Sequence, residues 1–212
     1  MQLHSLVSRT TLATLALLLT GSMIASASTS IPQPEPATGW QSKKAVFANQ
    51  FMAVTAHPLA TEAARNVLKS GGTAVDAAVA AQLILNLVEP QSSGIGGGAF
   101  MLYWDAKDQT LFSFDGRETA PAAADADYFK DETGNVMKWR EARLGARAVG
   151  VPGTLHLLHT VHQQFGNHPW ADLFKPAIAL SREGFFVSPR MAKSIEGAQA
   201  SLQRFEGTRE YF

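Results

Sequence analysis

From residue 58 onward the apolar residues fall into helical register. Pro58 suits a first turn, helix formers run through Glu62, Ala63, Ala64, Val67 and Leu68, and Lys69 followed by Gly71-Gly72 marks the end. A second helix is predicted at once. Thr73 is placed to cap it, Val75, Val79, Leu83 and Leu87 recur at four-residue steps, and Ala77, Ala78, Ala80 and Ala81 crowd the same turns. Such a helix is expected to bury most of its surface before Glu89-Pro90 stops it. Residues 91–98 (QSSGIGGG) then read as a flexible loop, and the short apolar, aromatic runs 99–105 and 110–115, separated by Ala106-Lys107-Asp108-Gln109, read as a β-hairpin. Residues 116–147 are mixed and loop-rich. Gly150-Val151-Pro152-Gly153 leads into a helix over 154–165, and Pro176 opens another that ends at Gly184. Upstream, AVFANQFMAVTA (45–56) has the β-branched and aromatic content of a strand or strand pair.

The N-terminal end follows a different logic. His4 and Arg9 precede an uncharged apolar run at 11–20, which leads to the small residues Ala25-Ser26-Ala27, the layout of a signal peptide cleaved after Ala27. That run is well short of the roughly 20 residues that span a bilayer, so no membrane span is expected, and export to the periplasm or medium is. Residues 28–44, with Pro32, Pro34 and Pro36 at alternate positions, read as a Pro-rich tether. Removing residues 1–27 takes away one base, Arg9, and no acid, so 18 basic against 18 acidic residues become 17 against 18. That balance argues against nucleic acid or an anionic membrane as the main partner, since either favours a clustered cationic excess. The absence of cysteine excludes a thiol nucleophile, a disulfide scaffold and Cys-ligated metal.

Four features carry candidate chemistry. Gly94, Gly96 and Ala99 satisfy a dinucleotide-type spacing, but here a helix precedes and a strand follows, the reverse of what a pyrophosphate site needs. The glycines at 94 and 96–98 are better suited to close approach of main chain to main chain or to a ligand. His156, His159 and His162 fan over one side of the helix at 154–165, which leaves either a metal pair or a solvated face; with no carboxylate in register, the solvated face is the stronger reading. Arg117, in DGRETAP beyond the second hairpin strand, is either a surface ion-pair group beside Asp115 and Glu118 or a fork that grips a carboxylate. Gly153-Thr154 has the residue pair of a self-cleavage site that exposes a Thr. A cut there leaves only 59 residues, too few for half of a two-sheet sandwich.

Taken together, GGTAVDAAVAAQLILNLVEPQSSGIGGGAFML (71–102), DGRETAP, GARAVGVPGT (145–154) and PWADLFKPAIALSREGFFVSP (169–189) resemble the γ-glutamyltransferases, in that order, over residues 45–212. The resemblance implies an α+β N-terminal-nucleophile hydrolase fold, a four-layer αββα sandwich of which only the N-terminal part is present. It implies a proenzyme that cuts itself into large and small subunits. The small subunit's N-terminal Thr attacks γ-glutamyl amides such as glutathione, and water or an acceptor amino acid or peptide takes the glutamyl group. Arg117 then matches the arginine that binds the substrate's α-carboxylate. The nucleophile lies beyond this chain, which is expected to be inactive alone, and neither cofactor nor metal is expected. A related amidase or acylase of the same fold and a non-catalytic exported piece are the competing readings.

Overall fold

In a computed structural model of the protein, residues 44–212 are described; the expected signal peptide at 1–27 and the expected tether at 28–44, save its last residue, lie outside them. The first two helices of the described residues are α1 (Pro58–Lys69) and α2 (Ala74–Val88). The His57 ring accepts the Leu59 amide at 3.2 Å, satisfying one of the N–H groups that a helix start leaves free. At α2, Thr73 Oγ1 accepts the Asp76 amide at 3.2 Å while the Asp76 carboxylate accepts the Thr73 amide at 2.8 Å, a reciprocal capping box. The chain continues through β1 (Ala99–Asp105), β2 (Thr110–Gly116), a short α3 (Trp139–Ala142), α4 (Thr154–Phe165), α5 (Lys175–Glu183), α6 (Pro189–Leu202) and α7 (Glu206–Tyr211). No helix among the described residues is long and apolar enough to cross a membrane.

The core lies around α2, as its dense run of small and branched side chains requires. Val75, Val79, Ala80, Ile84 and Val88 are buried there against Ala60 and Ala64 of α1, and against Leu157, Leu158 and Val161 of α4. Val79 and Val161 have no exposed surface, and each such valine contributes roughly 1.5 kcal/mol by leaving water. β1 and β2 form one antiparallel hairpin, with Ala99 opposite Gly116 and Tyr103 opposite Phe112. Its inner face meets Phe165 at the end of α4, whose ring lies 4.4 Å from Tyr103 and 5.0 Å from Phe112. On its outer face Phe100, Leu102, Trp104 and Leu111 are exposed.

One sequence expectation needs correction, and two further elements had not been assigned. Residues 45–56 form no strand. From 51 to 57 half-buried and exposed residues alternate, and Ala53 touches the core, yet no ladder partner lies alongside among the described residues, and β-rich composition without a partner leaves Phe47 and Val54 exposed. The chain beyond Gly184, for which no element had been assigned, forms α6 and α7. Ser188 caps α6, its Oγ accepting the Met191 amide at 3.1 Å, and Met191 is the one residue of α6 that is buried. Finally, the 3₁₀ turn Trp170–Phe174, which buries Leu173, links α4 to α5 where no element was expected.

Asp76 ties the helices together. Its carboxylate, with no exposed surface, accepts the Thr73 amide, the Asn167 amide at 3.0 Å and the His168 amide at 3.2 Å, and lies 3.4 Å from His162 Nε2. Burial by itself raises the Asp76 pKa, but hydrogen bonds from the Thr73, Asn167 and His168 backbone and the Thr73 hydroxyl outweigh it and hold the carboxyl below its ordinary 3.8. A carboxyl with a lowered folded-state pKa contributes stability that is complete above its unfolded value and is lost as pH falls through the folded one. Asp76→Ala strands three backbone donors and is expected to destabilise the chain by about 3–5 kcal/mol. In urea titrations the gap between wild type and variant should be constant above about pH 5 and narrow below about pH 4.

Candidate functional site

Three glycine-bearing segments far apart in sequence meet at one end of the hairpin. The register that sets Ala99 opposite Gly116 brings Gly98 beside Arg117 as the strands part. The Gly97 carbonyl accepts the amides of Gly153 at 3.0 Å and Thr154 at 3.1 Å, so the Gly-rich loop caps α4 from outside. Val151 donates its amide to the Thr119 carbonyl at 2.9 Å in an isolated antiparallel bridge. Approach this close excludes side chains. A Cβ on Gly153 would stand 2.1 Å from the Gly116 carbonyl oxygen, and one on Gly98 would stand 2.4 Å from Glu118 Oε2 and 2.9 Å from Arg117 Cα.

Arg117 follows directly on β2 at this junction. Its amide donates to Asp115 Oδ1 at 2.8 Å, which shapes the turn out of β2. Its side chain is 67% exposed, and Nη1 lies 3.3 Å from Glu118 Oε2. That oxygen is shielded from solvent and receives no well-directed hydrogen bond, so the contact is an ion pair held by position more than by hydrogen-bond geometry. Arg117 thus pairs with Glu118, as the ion-pair reading expects, and also lines a cavity of about 300 Å³ shared with Tyr128, Phe129, Arg147 and Val149. A paired guanidinium at the rim of a cavity can take a carboxylate with donors that Glu118 does not use.

Other candidates are placed differently. His156 and His159 are exposed, as a solvated face requires, but His162 is turned inward, 2.9 Å from the His168 carbonyl and against the Trp170 ring at 5.1 Å. Among the described residues no group of three His, Asp or Glu is arranged to hold a metal. Thr154 is buried in the first turn of α4 with its hydroxyl unpartnered, inside the packed junction. The loop at 91–98 lacks the strand-to-helix setting of a nucleotide site, since α2 precedes it and β1 follows.

Glu118 was legible from the sequence, by adjacency to Arg117 in DGRETAP, but the rest of the cavity wall and the anchor of the loop were not. Tyr128, Phe129 and Arg147 belong to the aperiodic stretch 116–147, where nothing local marks a cavity wall. Glu89, 3% exposed at the end of α2, pairs with Arg190 of α6 and accepts Gln91 Nε2 at 2.7 Å, while Arg190 Nη2 reaches Ser92 Oγ at 3.3 Å. This anchors the first turn of the Gly-rich loop across a long sequence separation.

The family model for gamma-glutamyltranspeptidase matches residues 60–212. The glutathione hydrolase proenzyme of Bacillus subtilis (strain 168) is 44% identical over 153 residues, which are 72% of this chain and 26% of that protein. Among solved structures, Helicobacter pylori gamma-glutamyltranspeptidase superposes with a TM-score of 0.75 at 33% identity, covering 80% of this chain and 48% of that one. A cephalosporin acylase from Bacillus halodurans gives 0.64 at 30% identity, covering 82% and 32%. The chain thus spans about a quarter of the length of the curated relatives it matches first. The match takes in the Gly-rich loop, the Arg117 segment and the α4 start that the fold brings together, and the chain belongs to the gamma-glutamyltranspeptidase family.

Proposed function

We propose that this chain is the N-terminal part of the large subunit, residues 45–212, of an exported proenzyme that cleaves γ-glutamyl amides such as glutathione and passes the glutamyl group to water or to an amino acid or peptide. The observation that carries this reading is Arg117, set at the rim of a cavity by a junction of three glycine-bearing segments. A planar fork there suits the α-carboxylate of a γ-glutamyl head group. The nucleophile in this reading is the N-terminal Thr of a small subunit released from the same proenzyme, its α-amine, with an ordinary pKa of about 7.7–8.0, acting as base. Arg117 binds and orients; bond cleavage belongs to that other segment.

The four-layer αββα sandwich is part of the same proposal. The outer face of the hairpin, with Phe100, Leu102 and Trp104 between 56% and 72% exposed, fits a surface against which a second sheet packs. A related acylase is the second reading, favoured by the likeness to the cephalosporin acylase of B. halodurans. Arg117 separates the two, because a γ-glutamyl head group presents an α-carboxylate next to its amine and an acylase need not demand one.

In the full-length protein, Arg117→Ala is expected to lower kcat/KM for γ-glutamyl p-nitroanilide about a hundredfold, given roughly 1.5–3 kcal/mol for each charge-assisted hydrogen bond lost. Arg117→Lys should recover only part, and a gel should show both subunits in either variant. Wild-type kcat/KM in the alanine variant would make Arg117 a structural ion-pair residue. Gly98→Ala pushes on the Glu118 carboxylate and the Arg117 backbone together. It should lower kcat/KM about tenfold or more while circular dichroism stays native, as small misplacements of a binding group do. Export predicts an N-terminus near Ser28 in the mature protein; mass spectrometry finding Met1 on exported material would refute the leader.

A further inference from the structure

We propose that Arg147 is a second anion-binding group in the cavity beside Arg117, taking a carboxylate at the far end of a peptide-like γ-glutamyl donor. This rests on the reading of Arg117 as the group that holds the α-carboxylate, and extends it from the head of the substrate to its leaving portion.

The charge on the cavity wall is the first argument. Arg117 and Arg147 both line it, and among the described residues Glu118 is the sole carboxylate that does. Glu118 is committed to Arg117 at 3.3 Å, whereas Arg147 has no carboxylate within ion-pair distance among the described residues. One positive charge on this wall is therefore uncompensated, and a cleft lined by excess charge of one sign concentrates ligands of the other.

The second argument is that Arg147 is held in place without being used up. It sits in the 3₁₀ turn Ala146–Ala148, where Val149 donates its amide to the Ala146 carbonyl at 3.1 Å. Its Nη1 donates to the Lys130 carbonyl at 3.1 Å and lies 3.0 Å from Met137 Sδ. An arginine carries five N–H donors in a planar fork, so one nitrogen can fix the side chain while others remain for a ligand. Holding it beforehand removes part of the ordering entropy that binding otherwise requires.

Shape supplies the third. Tyr128 and Phe129, packed edge to face with ring centroids 5.1 Å apart, line the same cavity, an apolar wall for the middle of a ligand whose two ends are charged. At about 300 Å³ the space matches the lower end of small-molecule sites. Glutathione has the required form, with a carboxylate at each end, and a γ-glutamyl anilide lacks the second one.

The test compares these two donors in the full-length processed protein. Arg147→Gln keeps an amide donor for the Lys130 carbonyl and removes the charge. The ratio of kcat/KM for glutathione to that for γ-glutamyl p-nitroanilide is expected to fall about five- to tenfold, carried by KM, as loss of one partly exposed charge-assisted contact implies. Arg147→Lys should restore most of that ratio. Because it compares two donors on one preparation, the ratio is insensitive to how much of a variant folds. An unchanged ratio in Arg147→Gln, or equal losses for both donors, overturns the proposal. Failure of the underlying reading shows separately, as an Arg117→Ala variant that turns over both donors at wild-type kcat/KM.

Discussion

The Gly97 carbonyl takes the amides of Gly153 and Thr154, and around that contact the backbones of three segments run closer than any side chain allows. The end of β2, the start of α4 and the Gly-rich loop are fixed relative to each other by it. A helix start leaves its first amides without internal partners, so an external carbonyl both stabilises α4 and positions whatever supplies the carbonyl. Here the supplier continues into β1, whose register with β2 sets where Arg117 leaves the sheet. A backbone junction thereby carries the position of an exposed side chain that has little packing of its own.

Asp76 does comparable work on the far side of α4. It caps α2 within its own turn and holds the 167–168 backbone, which follows α4 in sequence. A buried carboxylate persists here because backbone amides donate to it, and the same amides hold its pKa below the ordinary value against the opposing effect of burial. With the junction at its start and the Asp76 network near its end, α4 is held at both termini, and Phe165 fixes the inner face of the hairpin to it. The opposite face has no such cover among the described residues, and the large apolar groups of the sheet are exposed there.

Local signals account for what was legible beforehand. α1, α2, the hairpin and α4 follow from caps, four-residue spacing and aromatic alternation, all of which act within a few residues. α6 escaped because only Met191 on it is buried, so its apolar pattern hardly differs from that of a loop. The run at 45–56 misled in the opposite sense, since β propensity describes fitness for a pleated neighbour and does not supply one. In the site, DGRETAP drew notice for Arg117, whereas Arg147 and the Tyr128-Phe129 wall sit in a stretch without period.

The amino-acid sequence alone determined the starts and stops of α1, α2, α4 and α5, the hairpin, the glycines that permit close approach, and through four ordered motifs the family. Those features depend on neighbours in the chain, or on strings long enough to be recognised. Only the tertiary structure decided that Gly98 lies against Glu118, that His162 turns in to Asp76 while His156 and His159 face water, and that Arg117 and Arg147 share one cavity. Each of these pairings joins residues from different segments, and their proximity arises from the packing of α2 against its neighbours and the backbone junction at Gly97. Contacts closed by loops of that kind are set by the summed burial of the core, which no short window of sequence contains.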